Sequence, residues 1–389
     1  MTKKLRILYH HRIAAQDGQS VHVAELIHAF ETLGHTVHMV GPSLRPKEFG
    51  AENRFLDWLR RALPDFMLEV MELAYGMRDY LKLKAAYKSF GPDVLYERHN
   101  LFLPAGRWLK EKTDLPYLLE VNAPLADERS RYGGLKLEKL ARSLERKTWC
   151  AADRIFPVSD VLADILKAEG APENSITVLH NGIDPALYES LDGTAIRQKY
   201  GLEGRTVLGF TGFVREWHRL DHMIDLIANY DAADSPHMLI VGDGPAIPMC
   251  RERAEKLGIA DRIHFAGFID RMHIPEHLAA MDIALQPAVT DYASPLKLFE
   301  YMAAGLAIVA PAQPNICEIL EDDKDALLFA PQDFDAADAL IRRLIEDAAL
   351  RARLGAEAKR TIERRHYTWV DNAARISAIA EPLIEARKS

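Results

Sequence analysis

Cysteine is scarce in this chain of 389 residues: Cys150, Cys250 and Cys317 are the three present. They lie far apart, no two have metal-ligand spacing, and so sparse and odd a set argues against a disulfide framework. Long apolar runs are missing as well. The opening Leu5-Arg6-Ile7-Leu8-Tyr9 stops at His10, His11 and Arg12, which is too short for a signal peptide. Nothing further on approaches the ~20 uninterrupted apolar residues that span a bilayer, so a reducing, cytoplasmic location is the expectation. A basic surplus is absent too. The net charge is −8 and the isoelectric point lies near 6, which counts against nucleic acid as a partner. Hydrophobic (48%) and charged (27%) fractions are those of an ordinary globular protein, and the length implies two domains.

What is present is an alternation of strand and helix signals, the pattern of parallel α/β layers. Leu5–His10 reads as a buried strand, Val21–Leu33 as a helix stopped by Gly34, and His35–Val40 as a second strand. Further strands are predicted at Asp93–Glu97, Tyr117–Val121, Arg154–Val158 and Ile176–Leu179. The pattern then restarts with Val207–Thr211, Met238–Val241, Ile263–Phe265, Ile283–Leu285 and Ala307–Ala310. Two Rossmann-like halves follow, predicted at 1–190 and 191–367, with a last helix at 368–389 expected to cross back to the first.

The glycine pattern of a dinucleotide site is also lacking. The first loop, Gln16-Asp17-Gly18-Gln19-Ser20, holds one glycine, and the second strand ends Val40-Gly41-Pro42 with no acid for a ribose. A single close-approach glycine before a helix N-terminus suits a phosphate or a sugar. In the second half, Gly242-Asp243-Gly244-Pro245 follows a strand directly, where open α/β sheets bind ligands. Arg215, Trp217, His218 and Arg219 crowd behind Gly212 at another strand end.

The segment Tyr292-Ala293-Ser294-Pro295-Leu296-Lys297-Leu298-Phe299-Glu300 is the most informative. Ser294 reads as a helix N-cap and Pro295 as a first-turn residue. The free amides of that helix start favour an anion such as a diphosphate, and Lys297 adds a full positive charge. Glu300, one turn on, can accept hydrogen bonds from two vicinal hydroxyls, as a ribose offers.

Taken together, these residues resemble the family-4 retaining glycosyltransferases of GT-B fold, over nearly the whole chain. The resemblance is carried by the Gly18 loop with His22, Asp93-Val94-Leu95-Tyr96-Glu97-Arg98-His99, and Ala152-Asp153-Arg154-Ile155-Phe156-Pro157-Val158-Ser159. Asn181-Gly182-Ile183-Asp184, Gly242-Asp243-Gly244-Pro245 and Ser294 to Ala303 complete it. It implies an α/β fold of two Rossmann-like domains facing a central cleft. A UDP- or GDP-sugar is expected there, held mostly by the C-terminal domain, with no metal or other cofactor. Arg215 matches the basic group that neutralises the leaving diphosphate; His218 or Arg219 falls where a lysine is usual, and Lys297 offers a substitute. Glu300 matches the second acid of the Glu-x7-Glu signature, the ribose holder. The first acid is absent, Tyr292 standing in its place. Gly18 would approach the diphosphate or sugar by its backbone. Asn122 stands where relatives often present a histidine to the sugar, and His99 and Asn100 are the acceptor-side candidates.

The acceptor implied is a glycan or lipid-linked precursor of a surface polysaccharide or glycolipid. Residues 129–147 hold seven basic side chains against two acids, with Leu135, Leu137, Leu140 and Leu144 partly at helical spacing, and residues 54–88 add Trp58, Leu59, Phe66, Met67 and Tyr80. Such a basic amphipathic surface can dock on an anionic membrane. The competing reading is a catalytically weak scaffold of the same fold acting as a binding partner, which the missing first acid invites.

Overall fold

The structure is a computed structural model that describes residues 3–13, 18–42, 63–230 and 235–388. Gln16, Asp17, Trp58 and Leu59 lie outside the described residues. The chain divides into two compact units, Met1–His180 with Trp369–Ser389, and Asn181–Thr368. The division falls earlier than residue 190, because Asn181 and the turn after it pack with the second unit.

The first unit is built on a five-stranded parallel sheet in the order β2-β1-β3-β4-β5. Its strands are β1 (Arg6–His10), β2 (Thr36–Val40), β3 (Val94–Arg98), β4 (Tyr117–Val121) and β5 (Arg154–Pro157). β1, β3 and β4 are buried on both faces, hence their continuous apolar reading. Ile176–Leu179 is not a strand. It touches β5 through a single bridge at Ile155–Ile176, because its later residues lead into the turn at His180. Helix α1 (Gly18–Thr32) follows β1, and α2 (Asp65–Phe90) precedes β3.

The C-terminal helix Trp369–Lys388 packs on α1. His35 fixes it. Its Nδ1 accepts the Leu5 amide at 3.0 Å and its Nε2 meets the Ser377 hydroxyl at 2.9 Å. One imidazole therefore joins the start of β1 to the end of the chain.

The second unit carries a six-stranded parallel sheet ordered β11-β10-β9-β6-β7-β8. Its strands are β6 (Val207–Thr211), β7 (His237–Val241), β8 (Ile263–Gly267), β9 (Ile283–Leu285), β10 (Ala307–Pro311) and β11 (Leu327–Phe329). This is the doubly wound order, and the strand order reverses between β6 and β9. In such sheets the crevice at that reversal is where ligands bind. In the first unit the reversal lies between β1 and β3.

Candidate functional site

In the second unit the ends of β6 and β9 converge on one helix, Leu296–Ala304. Tyr301 on that helix is fully buried, and its hydroxyl accepts the Thr211 amide at 2.9 Å, with the Thr211 hydroxyl at 3.3 Å. The helix is thereby fixed to the last residue of β6. Lys297 lies four residues before Tyr301, on the same helix face, so the same contact carries it over the strand end. Its Nζ lies 3.7 Å from the centroid of the Phe210 ring. It also borders Gly212, where an added Cβ would stand 3.2 Å from it. Burial pulls the ammonium down to about 7, against the opposing charge of Glu300.

Behind Gly212 the chain makes a short 3-10 turn, Glu216–His218. The Arg215 amide donates to His218 Nδ1 at 3.1 Å, which leaves the ring proton on Nε2. Burial, then the charges of Lys297 and Arg215, push His218 down to about 3. It is a neutral N–H donor at neutral pH, packed 5.0 Å from the Phe210 ring. The Arg215 guanidinium is exposed and lies 4.8 Å from each of the Phe213 and Trp217 rings. Arg219 does not join this group. With φ at 54° it turns the other way, to Asp221 at 3.3 Å and the Phe334 ring at 5.1 Å.

Gly242 and Gly244 are packed against protein backbone. An added Cβ would come within 2.1 Å of the Gly212 carbonyl oxygen at Gly242, and within 2.1 Å of that of Val214 at Gly244. The Val214 amide donates to Asp243 at 2.8 Å. These glycines let the loops after β6 and β7 lie side by side, which shapes the rim of the site.

Ser294 is not the N-cap. The helix begins at Leu296 with Pro295 in the cap position, and no side chain caps it. Ser294 is instead occupied by Asn181, whose amide donates to its hydroxyl (3.2 Å) and whose Nδ2 donates to its carbonyl (2.6 Å). Asn315 holds the preceding turn through Thr290 (3.0 Å) and Ala293 (2.7 Å). The approach to the helix start is thus held by two buried side-chain amides, and the first helical N–H groups lack intrahelical acceptors as at any helix start. Tyr292 is buried. Glu300 is half-buried, and burial raises its carboxyl while Arg271 and Lys297 oppose the rise.

In the first unit, Asn122 stands beside a buried carboxylate, Glu120. Glu120 pairs with Arg98, lies 3.1 Å from His22 Nε2, and accepts from Tyr96 (2.9 Å) and Asn122 Nδ2 (2.5 Å). Burial alone would raise its carboxyl, yet the His22 and Arg98 charges and the His22 and Asn122 hydrogen bonds hold it well below the usual carboxylate range. Because Asn122 donates inward, its carbonyl oxygen is left to accept. Beside this cluster, His10 Nδ1 and the Tyr117 hydroxyl each lie 2.5 Å from the Glu97 carboxylate. His99 is buried against Trp149, with Nε2 3.0 Å from Glu145. Through Nε2 it ties a helix to the end of β3, while its Nδ1 has no hydrogen-bond partner among the described residues. Asn100 is half-buried, and Gly18 is exposed at the start of α1.

The sequence assigned no site role to Tyr301, Asn181, Asn315, Glu97 or Glu120, although the first two and Glu97 stand in the motifs that carry the resemblance. Glu97 and Glu120 stand in strands, where an apolar pattern broken by one acid was the available signal.

Comparison with known proteins bears on this arrangement. Residues 192–361 match the family described as glycosyl transferases group 1, and residues 16–187 match glycosyltransferase family 4. A 2-deoxystreptamine glucosyltransferase of Streptomyces kanamyceticus is 28% identical over 54% of this chain, which spans only 56% of that relative. A GDP-mannose-dependent phosphatidylinositol monomannoside mannosyltransferase of Mycobacterium tuberculosis is 22% identical over 65% of this chain and 68% of its own. HepE of Anabaena, solved in complex with UDP, superposes with a TM-score of 0.74 at 17% identity, over 97% of this chain and 100% of its own. With both halves matched in order and each folded as a parallel α/β unit, the chain belongs to the group 1, family-4 glycosyltransferases of GT-B fold.

Proposed function

We propose that the protein transfers a sugar from a UDP- or GDP-sugar to a hydroxyl of a glycan or lipid-linked acceptor, with retention of configuration, in surface polysaccharide or glycolipid assembly. The observation that carries this reading is the convergence of Lys297, His218 and Arg215 on the end of β6, at the strand-order reversal of the second unit. A departing nucleoside diphosphate develops negative charge. The three groups supply a point charge, a neutral N–H donor and a guanidinium in fixed positions, which is electrostatic stabilisation without reorganisation. The leaving phosphate takes the acceptor's proton, so the protein need only orient the reactants, and the carbonyl of Asn122 can accept from a hydroxyl of the transferred sugar. Glu300 holds the ribose hydroxyls. With these cations in place the reading calls for no metal or other cofactor. The named relatives use or bind UDP, GDP-mannose and acceptors that include an inositol lipid, in keeping with this class.

Thermal stabilisation by UDP, GDP, ADP, CMP and NAD at millimolar concentration tests it. A ligand at about 100 times its dissociation constant adds ~2.7 kcal/mol, several degrees for a domain of this size. A shift with UDP or GDP, cut to roughly half in Glu300→Ala, supports the reading. A shift with NAD alone contradicts it, and no shift with any nucleotide favours the scaffold reading.

A further inference from the structure

The basic stretch 129–147 is partly engaged within the protein. Arg129 pairs with Glu72 (2.6 Å), Arg131 with Asp127 (2.9 Å), and Arg142 with Glu138 (2.9 Å). Leu135, Leu137 and Leu144 pack inward against Leu101, Phe102, Ala126 and Ala141, and Leu140 alone of the four leucines is exposed. The unusual surface of this unit is on α2 instead. A surface helix ordinarily buries apolar residues and exposes charge. Over its first two-thirds α2 does the reverse. Glu69 and Asp79 are buried, at 1% and 6% exposure. Glu69 accepts the Lys136 and Leu137 amides at 2.8 and 2.7 Å, and Asp79 takes Arg12 at 2.9 Å. Exposed in their place are Phe66, Met67, Val70, Met71, Met77 and Leu81, between 41% and 59%. From Phe66 to Leu81 this apolar face runs about 23 Å along the helix.

Beyond the first turn, the exposed charges of this helix are basic. Glu69, Glu72 and Asp79 are drawn into internal pairs, and the exposed charged residues of α2 are Asp65 near its start and then Arg78, Lys82, Lys84 and Lys88. An apolar stripe that continues into exposed basic side chains is complementary to an anionic lipid surface, with the side chains entering the acyl boundary and the bases meeting the headgroups. We propose that α2 is a lipid-docking helix that seats this unit on an anionic bilayer. This deepens the lipid-linked acceptor reading and locates its membrane contact on α2.

The test is flotation of the full chain with vesicles of phosphatidylcholine alone or mixed with phosphatidylglycerol, without nucleotide sugar, so that the outcome is independent of the transfer reaction. The wild type is expected to float with the mixed vesicles, less so as salt is raised, and to stay behind with neutral ones. Val70→Glu with Leu81→Glu should cut partitioning at least about tenfold, and Lys82→Ala with Lys84→Ala by about thirty-fold. All four positions are exposed, so unchanged circular dichroism is expected. Failure of the wild type to float, or flotation of the double glutamate variant at wild-type level, overturns the proposal. So does a wild-type dimer that the glutamate variant converts to monomer, since the face would then be a self-interface.

Discussion

Lys297 places its ammonium 3.7 Å from the centre of the Phe210 ring, at the end of β6, and is half-buried there. The ring face is a weak counter-ion, and Glu300 is the carboxylate whose charge favours the ammonium. Burial leaves this cation poorly solvated, which favours an anion as its partner.

Nucleotide affinity should depend on pH through this group. Free Lys297 loses its proton near pH 7 because of burial, and a diphosphate beside it raises that value. Binding then takes up a proton. Affinity is full below about pH 7 and falls about tenfold per pH unit above it, up to the bound-state value. Calorimetry at about pH 8 in buffers of different ionisation enthalpy would show the uptake, whereas a flat affinity profile over this range would count against it.

Replacing the amine should stabilise the free protein. A lysine whose native pKa is lowered favours the unfolded chain wherever that chain still holds the proton, with the full penalty below about pH 7 and relief as pH rises toward 10. Lys297→Met keeps the packing volume and removes the buried charge. Its Tm at neutral pH should lie above the wild type's, while stabilisation by UDP or GDP is lost. A lower Tm in the variant would show that the lysine packs favourably without ligand.

Tyr301 should matter to stability more than to chemistry. Tyr301→Phe leaves the buried Thr211 amide without its acceptor, a cost of about 1–3 kcal/mol. Thermal unfolding would show a Tm several degrees lower, with nucleotide affinity only modestly reduced. An unchanged Tm would mean that the amide finds another partner.

Glu300 should be selective for the ribose. Glu300→Ala is expected to weaken binding of the ribonucleotide about tenfold, the worth of one charge-assisted hydrogen bond, and of its 2′,3′-dideoxy counterpart hardly at all. Equal losses with both nucleotides would place the carboxylate elsewhere.

Much of this was legible in the residues. The strand periodicity located β6, β9 and β10, and the Ser294 to Gly305 segment pointed to its helix, because a buried parallel strand reads as an apolar run and a helix end as glycine. β11 escaped notice since Leu327–Phe329 is only three residues long. Ser294 misled because a serine before a proline looks like a cap, and only the fold brings Asn181 to it from 113 residues away. His218 and Arg219 could not be told apart by position. One residue in the left-handed region decides which of them faces Phe210. His99 looked available because nothing in its neighbourhood of sequence shows that Glu145 reaches it.

The most direct measurement is titration calorimetry of UDP and GDP against the wild type and Arg215→Ala. The exposed guanidinium contributes nothing that folding requires, so the variant should be intact by thermal unfolding. The account predicts that one of the two nucleotides binds the wild type, and that the variant binds it at least about tenfold more weakly. Binding of neither nucleotide, or equal binding by both proteins, would contradict the assignment of the site at the ends of β6 and β9.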